Sequence, residues 1–452
     1  MKRFIENDLK KWKKKKRRKP LILRGARQVG KTYSVMRFGE DSFDNVAVVN
    51  LERNPEWHRI FDGNLDVSGI RADLEIVLKQ KIVPGRTLLF IDEIQSCPRA
   101  ITALRYFYEE MPNLHVVTAG SLLEFAMADI SFPVGRVQFL HLHPLCFAEY
   151  LWATGNNEAA NIILGSPEIV SETIHQFLSE ELRRYFFIGG MPGSVAAYVE
   201  TRSMQESFEV QAEICETYRL DFAKYKPQAD KYCLNAVFTT AAQNVGQQIK
   251  YSRLADGYSN PTLRKAFDLL CLANVIRKIP SVDPSGLPLG ATAAAKVFKA
   301  MMVDVGLLRY LSGMPVDVEY GKADLNNIYR GAMSEQFVGQ EMVLSQKQDV
   351  YYWSRRAKSS SSEVDYVAVM DGRIHPVEVK SGASGTLKSL HLFLKTYRSC
   401  SRGMVFSTRP YAELPEAKII FIPLYFAFSA TGGKGRDPGI INEEKGAFSN
   451  GK

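Results

Sequence analysis

One segment near the N-terminus sets the strongest limit on what this chain can fold into. Residues 21–23 are an apolar run of strand character, and the pattern Gly-x-x-x-x-Gly-Lys-Thr follows at residues 25–32. A phosphate group requires this arrangement, because the glycines let the backbone approach the anion and a following helix N-terminus directs N–H groups at it. Residues 33–38 are compatible with that helix. The pattern therefore predicts a phosphate-binding loop between a strand and a helix.

The sequence of this loop predicts which atoms would hold a nucleoside triphosphate. Lys31 is expected to reach the β- and γ-phosphate oxygens, and Thr32 to offer its hydroxyl to Mg²⁺. Further contacts are expected from the rest of the loop and the start of the helix, namely Gly25, Ala26, Arg27, Gln28, Val29, Gly30 and Tyr33. A chance match in a glycine-containing loop is the alternative, and the flanking strand and helix argue against it. We therefore predict that the chain binds ATP with Mg²⁺.

A second segment strengthens this prediction. Residues 87–91 form an apolar run typical of a buried strand, and two acidic residues, Asp92 and Glu93, follow it. In P-loop ATPases the first such acid holds the Mg²⁺ shell and the second acts on the attacking water. Asp92 is therefore predicted as a catalytic metal-binding residue, and Glu93 as the residue that polarises the water.

Two further residues are candidates for contact with the γ-phosphate. Ser121 follows a predicted strand at residues 115–119, where it is placed to sense that phosphate. A serine at a strand end is also typical of a helix N-cap, and the two roles are compatible. Arg136 follows Gly135 and could reach a γ-phosphate of its own subunit or of a neighbouring copy, as an arginine finger does. A surface arginine in a turn is the alternative.

Composition limits the class of protein. The 452 residues exceed what one core usually serves, so roughly two to four domains are expected. The net charge of +9 favours an anionic partner such as nucleic acid. The six cysteines show no metal-binding spacing, which fits reduced thiols in the cytoplasm. No apolar run approaches the ~20 residues of a membrane span, so no membrane association is expected.

The order of apolar and polar segments predicts an α/β fold with several domains. Strands alternate with helical segments up to about residue 150, which predicts a parallel sheet with helices on both faces. The helical pattern that follows, interrupted at residues 189–193, is typical of a lid over the nucleotide. We place a basic helix or arm at residues 1–19, a P-loop ATPase core at 20–150, the helical lid at 151–220, a winged helix at 221–310, a nuclease-like α/β domain at 311–430 and a disordered tail at 431–452.

Two basic segments are candidate contacts for nucleic acid. Residues 13–19 are all lysine or arginine, which indicates either a solvated charge run or a patch that contacts phosphates. In residues 221–310, three helices followed by two short strands predict a winged helix. Its recognition helix would carry or adjoin Lys250, Arg253, Arg264 and Lys265. A winged helix that only packs against the ATPase is the alternative.

The motifs taken together resemble a known family. They stand at residues 23–32, 91–95, 119–121, 135–136, 144–145 and 189–192. They look like those of the large prokaryotic family of AAA-type ATPases joined to a conserved C-terminal region of unknown function. The resemblance extends from about Leu21 to about Lys380 and implies an ATP-binding protein, without defining a biological role. Gly193 departs from the family, in which an acidic residue commonly follows the proline, so any role of that acid is unassigned here.

A second constellation lies in the C-terminal part of the chain. Asp365 lies in one predicted strand, an Asp-Gly turn follows at residues 371–372, and Glu378 and Lys380 lie in the partner strand. Antiparallel pairing can bring these side chains to one face. Two carboxylates that converge hold a divalent metal, and a neighbouring lysine can orient or deprotonate the attacking water. Glu335, in a helix expected to open at Ser334, could complete the metal shell.

The spacing of Asp365, Glu378 and Lys380 is similar to the active site of the PD-(D/E)xK nuclease superfamily. That resemblance implies Mg²⁺-dependent cleavage of nucleic acid; a fold that has lost its chemistry and only binds, or an exposed hairpin with ordinary surface charge, are the alternatives. We therefore predict an ATP-hydrolysing protein that acts on nucleic acid, DNA in particular, with nuclease activity as an appended function. The alternatives are a nucleotide-switched regulator with a catalytically dead nuclease-like fold, or a protein-remodelling ATPase without a nucleic-acid role.

Overall fold

The structure is a computed structural model that describes residues 1–120, 132–133, 135–224, 230–294, 296–314, 327–356, 361–381 and 386–432. The chain divides into two compact units. The first comprises residues 2–144 and 272–274, and the second comprises residues 145–271 and 275–452 together with Met1. Within the described ranges, no helix combines the length and the apolar character that crossing a membrane would require.

The first unit is built on a five-stranded parallel sheet. Its strands are β1 (Leu21–Arg24), β2 (Asn45–Asn50), β3 (Thr87–Asp92), β4 (His115–Ala119) and β5 (Gln138–His141), and its helices are α1 (Ile5–Lys13), α2 (Lys31–Ser42), α3 (Val67–Leu78) and α4 (Pro98–Glu110). The strand order is β2-β3-β4-β1-β5. Every residue of β3 is buried, as expected for a strand covered by helices on both faces. This sheet confirms the predicted α/β class.

The basic arm is packed against the first unit. Ile5, Leu9 and Trp12 are buried on one face of α1, at helical spacing. Arg3, ahead of the helix, donates to the Val29 carbonyl at 3.3 Å and to the His143 carbonyl at 2.6 Å. The helix ends at Lys13 rather than continuing through the basic run, because consecutive like charges oppose helix formation. The N-terminal helix therefore lies against the phosphate-binding loop.

The second unit begins with helices and a short hairpin. They are α5 (Phe147–Ala153), α6 (Asn157–Leu164), α7 (Glu172–Ile188), α8 (Pro192–Thr201), α9 (Met204–Asp221), α10 (Lys231–Gln243), α11 (Asn260–Leu272), β6 (Ile276–Pro280), β7 (Phe298–Met302) and α12 (Val305–Leu311). Strands β6 and β7 pair antiparallel. The helix expected at residues 252–255 is only a 3-10 turn, Tyr251–Arg253. The order otherwise agrees with the predicted helices and wing, whose assignment as a winged helix stays a prediction.

A six-stranded sheet completes the second unit. Its elements are α13 (Asn327–Gln346), β8 (Tyr351–Arg356), β9 (Ser361–Met370), β10 (Arg373–Lys380), α14 (Lys388–Thr396), β11 (Gly403–Ser407), β12 (Ala412–Leu414), β13 (Ile419–Pro423) and α15 (Ala427–Thr431), in the strand order β12-β13-β11-β10-β9-β8. Asp371 and Gly372 both have positive φ, +49° and +71°, so the predicted Asp-Gly hairpin turn is present. Helix α13 begins at Asn327, not at the expected Ser334, because no proline interrupts residues 327–334.

Candidate nucleotide site and carboxylate cluster

The phosphate-binding loop has the tight backbone that its glycines predict. Gly25 has φ +139°, and a Cβ at this position would lie 2.1 Å from the carbonyl oxygen of Leu142. Gly30 has φ +92° and precedes α2, whose first turn receives no side-chain cap from it. The N–H groups at the start of α2 are therefore directed into the concave side of the loop, as a phosphate requires.

The Lys31 side chain bonds to the backbone of the phosphate-binding loop. Its Nζ donates to the carbonyl oxygens of Gly25 at 2.9 Å and of Ala26 at 2.8 Å, and its side chain is buried. Among the other predicted nucleotide contacts, Ala26 and Val29 are buried, Arg27 is half-buried, and Gln28, Thr32 and Tyr33 are exposed. Because Thr32 is exposed, a ligand can reach the part of the loop where Thr32 lies.

The acids at the end of β3, Asp92 and Glu93, lie at the same site. Thr32 Oγ1 donates to Asp92 Oδ2 at 3.0 Å, so the predicted magnesium residues are neighbours although 60 positions separate them. Burial raises the pKa of Asp92, the charge of Glu93 raises it further, and the bond from Thr32 opposes both effects. A hydroxyl beside a buried carboxylate, with a second acid adjacent, is a donor set that suits Mg²⁺. The residues present therefore fit the predicted metal ion and nucleotide.

Glu93 is held by a residue that sequence reasoning missed. Its backbone is left-handed, with φ +49°, and Gln95 Nε2 donates to its Oε2 at 2.6 Å. A glutamate in this strained conformation is fixed by its surroundings. The Glu-x-Gln spacing was the available signal, because residues two apart across a tight turn can meet.

Of the two further residues predicted to contact the γ-phosphate, Ser121 and Arg136, the structure describes only Arg136. Ser121 lies outside the described residues. Arg136 lies at the surface, where its Nε is 2.8 Å from Glu109 Oε1 of helix α4. Its role as an arginine finger stays a prediction.

The C-terminal acids lie near one another. The paired register of β9 and β10 ends at Tyr366 and Val377, and Asp365 and Glu378 each lie one position beyond that pair. Asp365 Oδ2 accepts the Val379 N–H at 2.8 Å, and Lys380 Nζ lies 2.5 Å from Glu378 Oε1. Burial raises the pKa of Glu378 to about 7, and the charge of Asp365 contributes to the increase.

A lysine outside the predicted set occupies the centre of this group. Lys299 of β7 is buried, and its Nζ lies 2.7 Å from Glu335, 2.5 Å from Glu363 and 3.5 Å from Asp365. We call Lys299, Lys380 and the four acids Glu335, Glu363, Asp365 and Glu378 the carboxylate cluster. A single lysine in the buried run Phe298–Met302 was the sequence signal that could have revealed it, because lysine is almost never fully buried without a partner.

The carboxylate cluster does not fit a divalent metal in this arrangement. A hard cation needs carboxylate oxygens converging on it, whereas oxygens of Glu335 and Asp365 lie against the Lys299 ammonium. Across the described residues, no group of three or more Asp, Glu, His or Cys side chains is arranged to hold a metal ion. The metal role predicted for Glu335, Asp365 and Glu378 therefore stays a prediction without geometric support.

Three family models match parts of the chain. Residues 17–151 match a model described as an AAA domain, residues 179–317 match a domain of unknown function (DUF8612), and residues 330–426 match a domain of unknown function (DUF4143). No curated protein matches the sequence. The AAA match and the parallel sheet confirm an AAA-type P-loop ATPase domain. The winged-helix and nuclease-like assignments remain predictions.

Several solved structures resemble the chain at low sequence identity. Aeropyrum pernix ORC1 in complex with DNA is 11% identical, covering 69% of this chain and 91% of its own, with a TM-score of 0.26. The Thermotoga maritima RuvB Holliday junction branch migration motor is 16% identical, with coverages of 58% and 82% and a TM-score of 0.26. A protein from Vibrio cholerae is 12% identical, with coverages of 86% and 96% and a TM-score of 0.20. At these scores the resemblances support no conclusion about activity or partners.

Proposed function

We propose that this chain is an ATP-hydrolysing switch or motor of the AAA type that acts on nucleic acid, with DNA as the favoured partner. The 3.0 Å contact between Thr32 and Asp92 carries the ATPase part of the proposal. It joins the end of the phosphate-binding loop to the acidic end of β3, which is the combination that Mg²⁺-dependent NTPases use.

Each residue of the site has a role in this proposal. Lys31 exchanges its bonds to the Gly25 and Ala26 carbonyls for bonds to the β- and γ-phosphates. Thr32 and Asp92 would hold Mg²⁺, which would neutralise the charge that develops on the phosphate oxygens. Glu93 orients the attacking water and accepts its proton, and Gln95 keeps the Glu93 carboxylate in position.

Two substitutions test the ATPase proposal. Lys31→Ala is expected to abolish tight ATP binding, since the phosphates lose the lysine ammonium of the loop. Glu93→Gln is expected to retain ATP affinity and to lower turnover by about 100-fold or more, because only the action on water is lost. Glu110→Gln, an exposed residue of the same unit, is the matched control and should behave as wild type. Turnover of Glu93→Gln at the wild-type rate would show that another group acts on the water.

The nucleic-acid part of the proposal is supported by exposed basic side chains. Lys14, Lys16 and Arg17 are exposed, whereas Lys13 bonds to the Ser42 carbonyl. On the second unit Lys250, Arg253, Arg264 and Lys265 are all exposed. Exposed lysines and arginines are the groups that contact backbone phosphates and release counterions.

The salt dependence of DNA affinity tests the nucleic-acid part of the proposal. Replacing Lys14, Lys16 and Arg17 with Gln removes three exposed charges and leaves the bond from Lys13 to Ser42 in place. If all three contact phosphates, the slope of log K against log salt should fall by up to about 3 for duplex DNA. The same substitutions at Lys79, Lys81 and Arg86, exposed residues outside the arm, provide a control. Absence of binding to duplexes and single strands at ~50 mM salt would favour the protein-remodelling alternative.

A second candidate function is favoured by the position of Lys299. In it, the chain is a nucleotide-switched DNA- or protein-binding regulator whose nuclease-like fold is catalytically inactive. Incubation with labelled DNA and RNA, with Mg²⁺ or Mn²⁺ and with or without ATP, separates the two candidates. Cleavage that Asp365→Asn abolishes would support an appended nuclease. Nucleotide-dependent binding without cleavage would support the regulator.

A further inference from the structure

We propose that Lys299 is the resident cation of the carboxylate cluster, that it takes the place of a divalent metal there, and that it ties the β6–β7 hairpin to the nuclease-like sheet. This inference deepens the second candidate function and is independent of ATP hydrolysis. The residues that carry the nuclease resemblance, Asp365, Glu378 and Lys380, do not indicate this role for Lys299.

The first argument for this proposal is the set of contacts that Lys299 makes. Its side chain is 2% exposed, and three carboxylates surround its Nζ at 2.7, 2.5 and 3.5 Å. These come from helix α13 (Glu335) and from strand β9 (Glu363 and Asp365). An ammonium has three N–H donors; the contacts at 2.7 and 2.5 Å lie within hydrogen-bond distance, and the third, at 3.5 Å, is an ion pair. A buried charge is tolerated only when it is paired in this way.

The strand that carries Lys299 is fixed in register with α13. Gln336, next to Glu335, accepts the Met302 N–H at 2.9 Å and donates to the Met302 carbonyl at 2.8 Å. Glu335 itself is packed closely, since a Cβ on Gly246 would lie 2.8 Å from its Oε2. The β7 backbone at Met302 and the Glu335 side chain are therefore both held in place, which keeps Lys299 and Glu335 together.

Charge balance explains why a cation is needed. The carboxylate cluster contains four acids and two lysines, Lys299 and Lys380. Removal of Lys299 would leave four acids with one lysine, and like carboxylates in a buried space repel. Glu378 Oε2 is buried and, among the described residues, has no hydrogen-bond partner. The variant without Lys299 therefore has both the excess charge and an open oxygen with which to accept a divalent ion.

A metal-binding experiment on nucleotide-free full-length protein tests the proposal. Mn²⁺ is titrated into wild type, Lys299→Met, and Lys299→Met/Asp365→Asn, and free Mn²⁺ is measured by electron paramagnetic resonance. Methionine keeps an unbranched apolar side chain, one atom shorter than that of lysine, without the charge. Lys299→Met is expected to gain one Mn²⁺ per chain, and Mn²⁺ should raise its Tm by several degrees through linkage. The double variant should lose that ion, because an Asp365 oxygen is removed from the site.

Wild type and Asp365→Asn provide a test that does not depend on the folding of Lys299→Met. If Lys299 is the resident cation, Mn²⁺ binding to these two proteins should be the same. An Mn²⁺ ion that wild type binds and Asp365→Asn does not would overturn the proposal. A folded Lys299→Met that gains no ion would also overturn it. Neither result depends on ATP turnover, so failure here is distinct from failure of the ATPase proposal.

Discussion

Glu341 lies in the interior of the second unit and predicts a specific dependence of stability on pH. It is 1% exposed in α13, and its Oε1 accepts the Phe147 N–H at 3.0 Å. The titratable groups whose charges interact with it are Glu149 and Tyr185. Burial raises the pKa of Glu341 from 4.5 to about 8, the Phe147 hydrogen bond opposes this and the charge of Glu149 adds to it. The folded protein therefore holds a proton that the unfolded chain releases.

The sign and size of the change in stability with pH follow from the difference between the folded and unfolded pKa of Glu341. Because the folded pKa is the higher one, the contribution of Glu341 to stability is complete below its unfolded pKa and is lost as the pH rises toward about 8. In between, one proton separates the two states, so the free energy of unfolding falls by about 1.4 kcal/mol per pH unit. Glu341→Gln keeps an oxygen for the Phe147 N–H and removes the titration. Between about pH 5.5 and about pH 7.5 the variant should therefore gain about 3 kcal/mol relative to wild type.

Urea unfolding of both proteins at several pH values, followed by tryptophan fluorescence and circular dichroism, measures this difference. The comparison removes the contributions of other buried acids, such as Asp304, because both proteins contain them. Glu209→Gln, at an exposed position of α9, is the control and should leave the pH dependence unchanged. Parallel pH curves for wild type and Glu341→Gln would refute the reasoning, since Glu341 would then have the same protonation in both states.

Two further predictions concern the first unit. Gly25→Ala should lower the free energy of unfolding by about 2 kcal/mol or more and weaken ATP binding, because its Cβ would meet the Leu142 carbonyl at 2.1 Å. Gly63 also has a positive φ, +67°, but nothing lies within 4 Å of an added Cβ; equal losses in Gly25→Ala and Gly63→Ala, measured by thermal unfolding and nucleotide titration, would argue against the steric cause. Arg136→Ala should keep ATP affinity and lose turnover if Arg136 serves the site of a neighbouring copy. Mixing the Arg136→Ala protein with the Glu93→Gln protein should then restore activity. Wild-type turnover of Arg136→Ala at every protein concentration would instead assign Arg136 to its surface pair with Glu109.

Features encoded in short segments were predictable from the sequence. The phosphate-binding loop and the Asp-Gly hairpin depend on backbone conformations that particular residues favour, so the pattern indicates the geometry directly. The approach of Asp365 to Glu378 followed from strand pairing alone. The start of α13 was placed seven positions late, because the prediction began from the acidic motif and gave no weight to the uninterrupted helix-compatible residues before it.

The partners of the acids were not predictable by the same reasoning. Lys299 is 36 residues from Glu335 and lies in a different supersecondary unit, so no local spacing relates them. The composition of β7 shows only that its lysine must be paired, and tertiary packing decides the partner. The sequence therefore grouped Glu335, Asp365 and Glu378 around a predicted metal ion with Lys380 beside them, but it gave no indication that Glu363 and Lys299 lie in the same group.

The bonds from Arg3 to the Val29 and His143 carbonyls have a practical consequence for work with this protein. Val29 belongs to the phosphate-binding loop, so the Arg3 guanidinium supports the backbone of that loop. A truncation that begins at the first strand, or Arg3→Ala, is therefore expected to alter nucleotide binding without touching a phosphate-contacting residue.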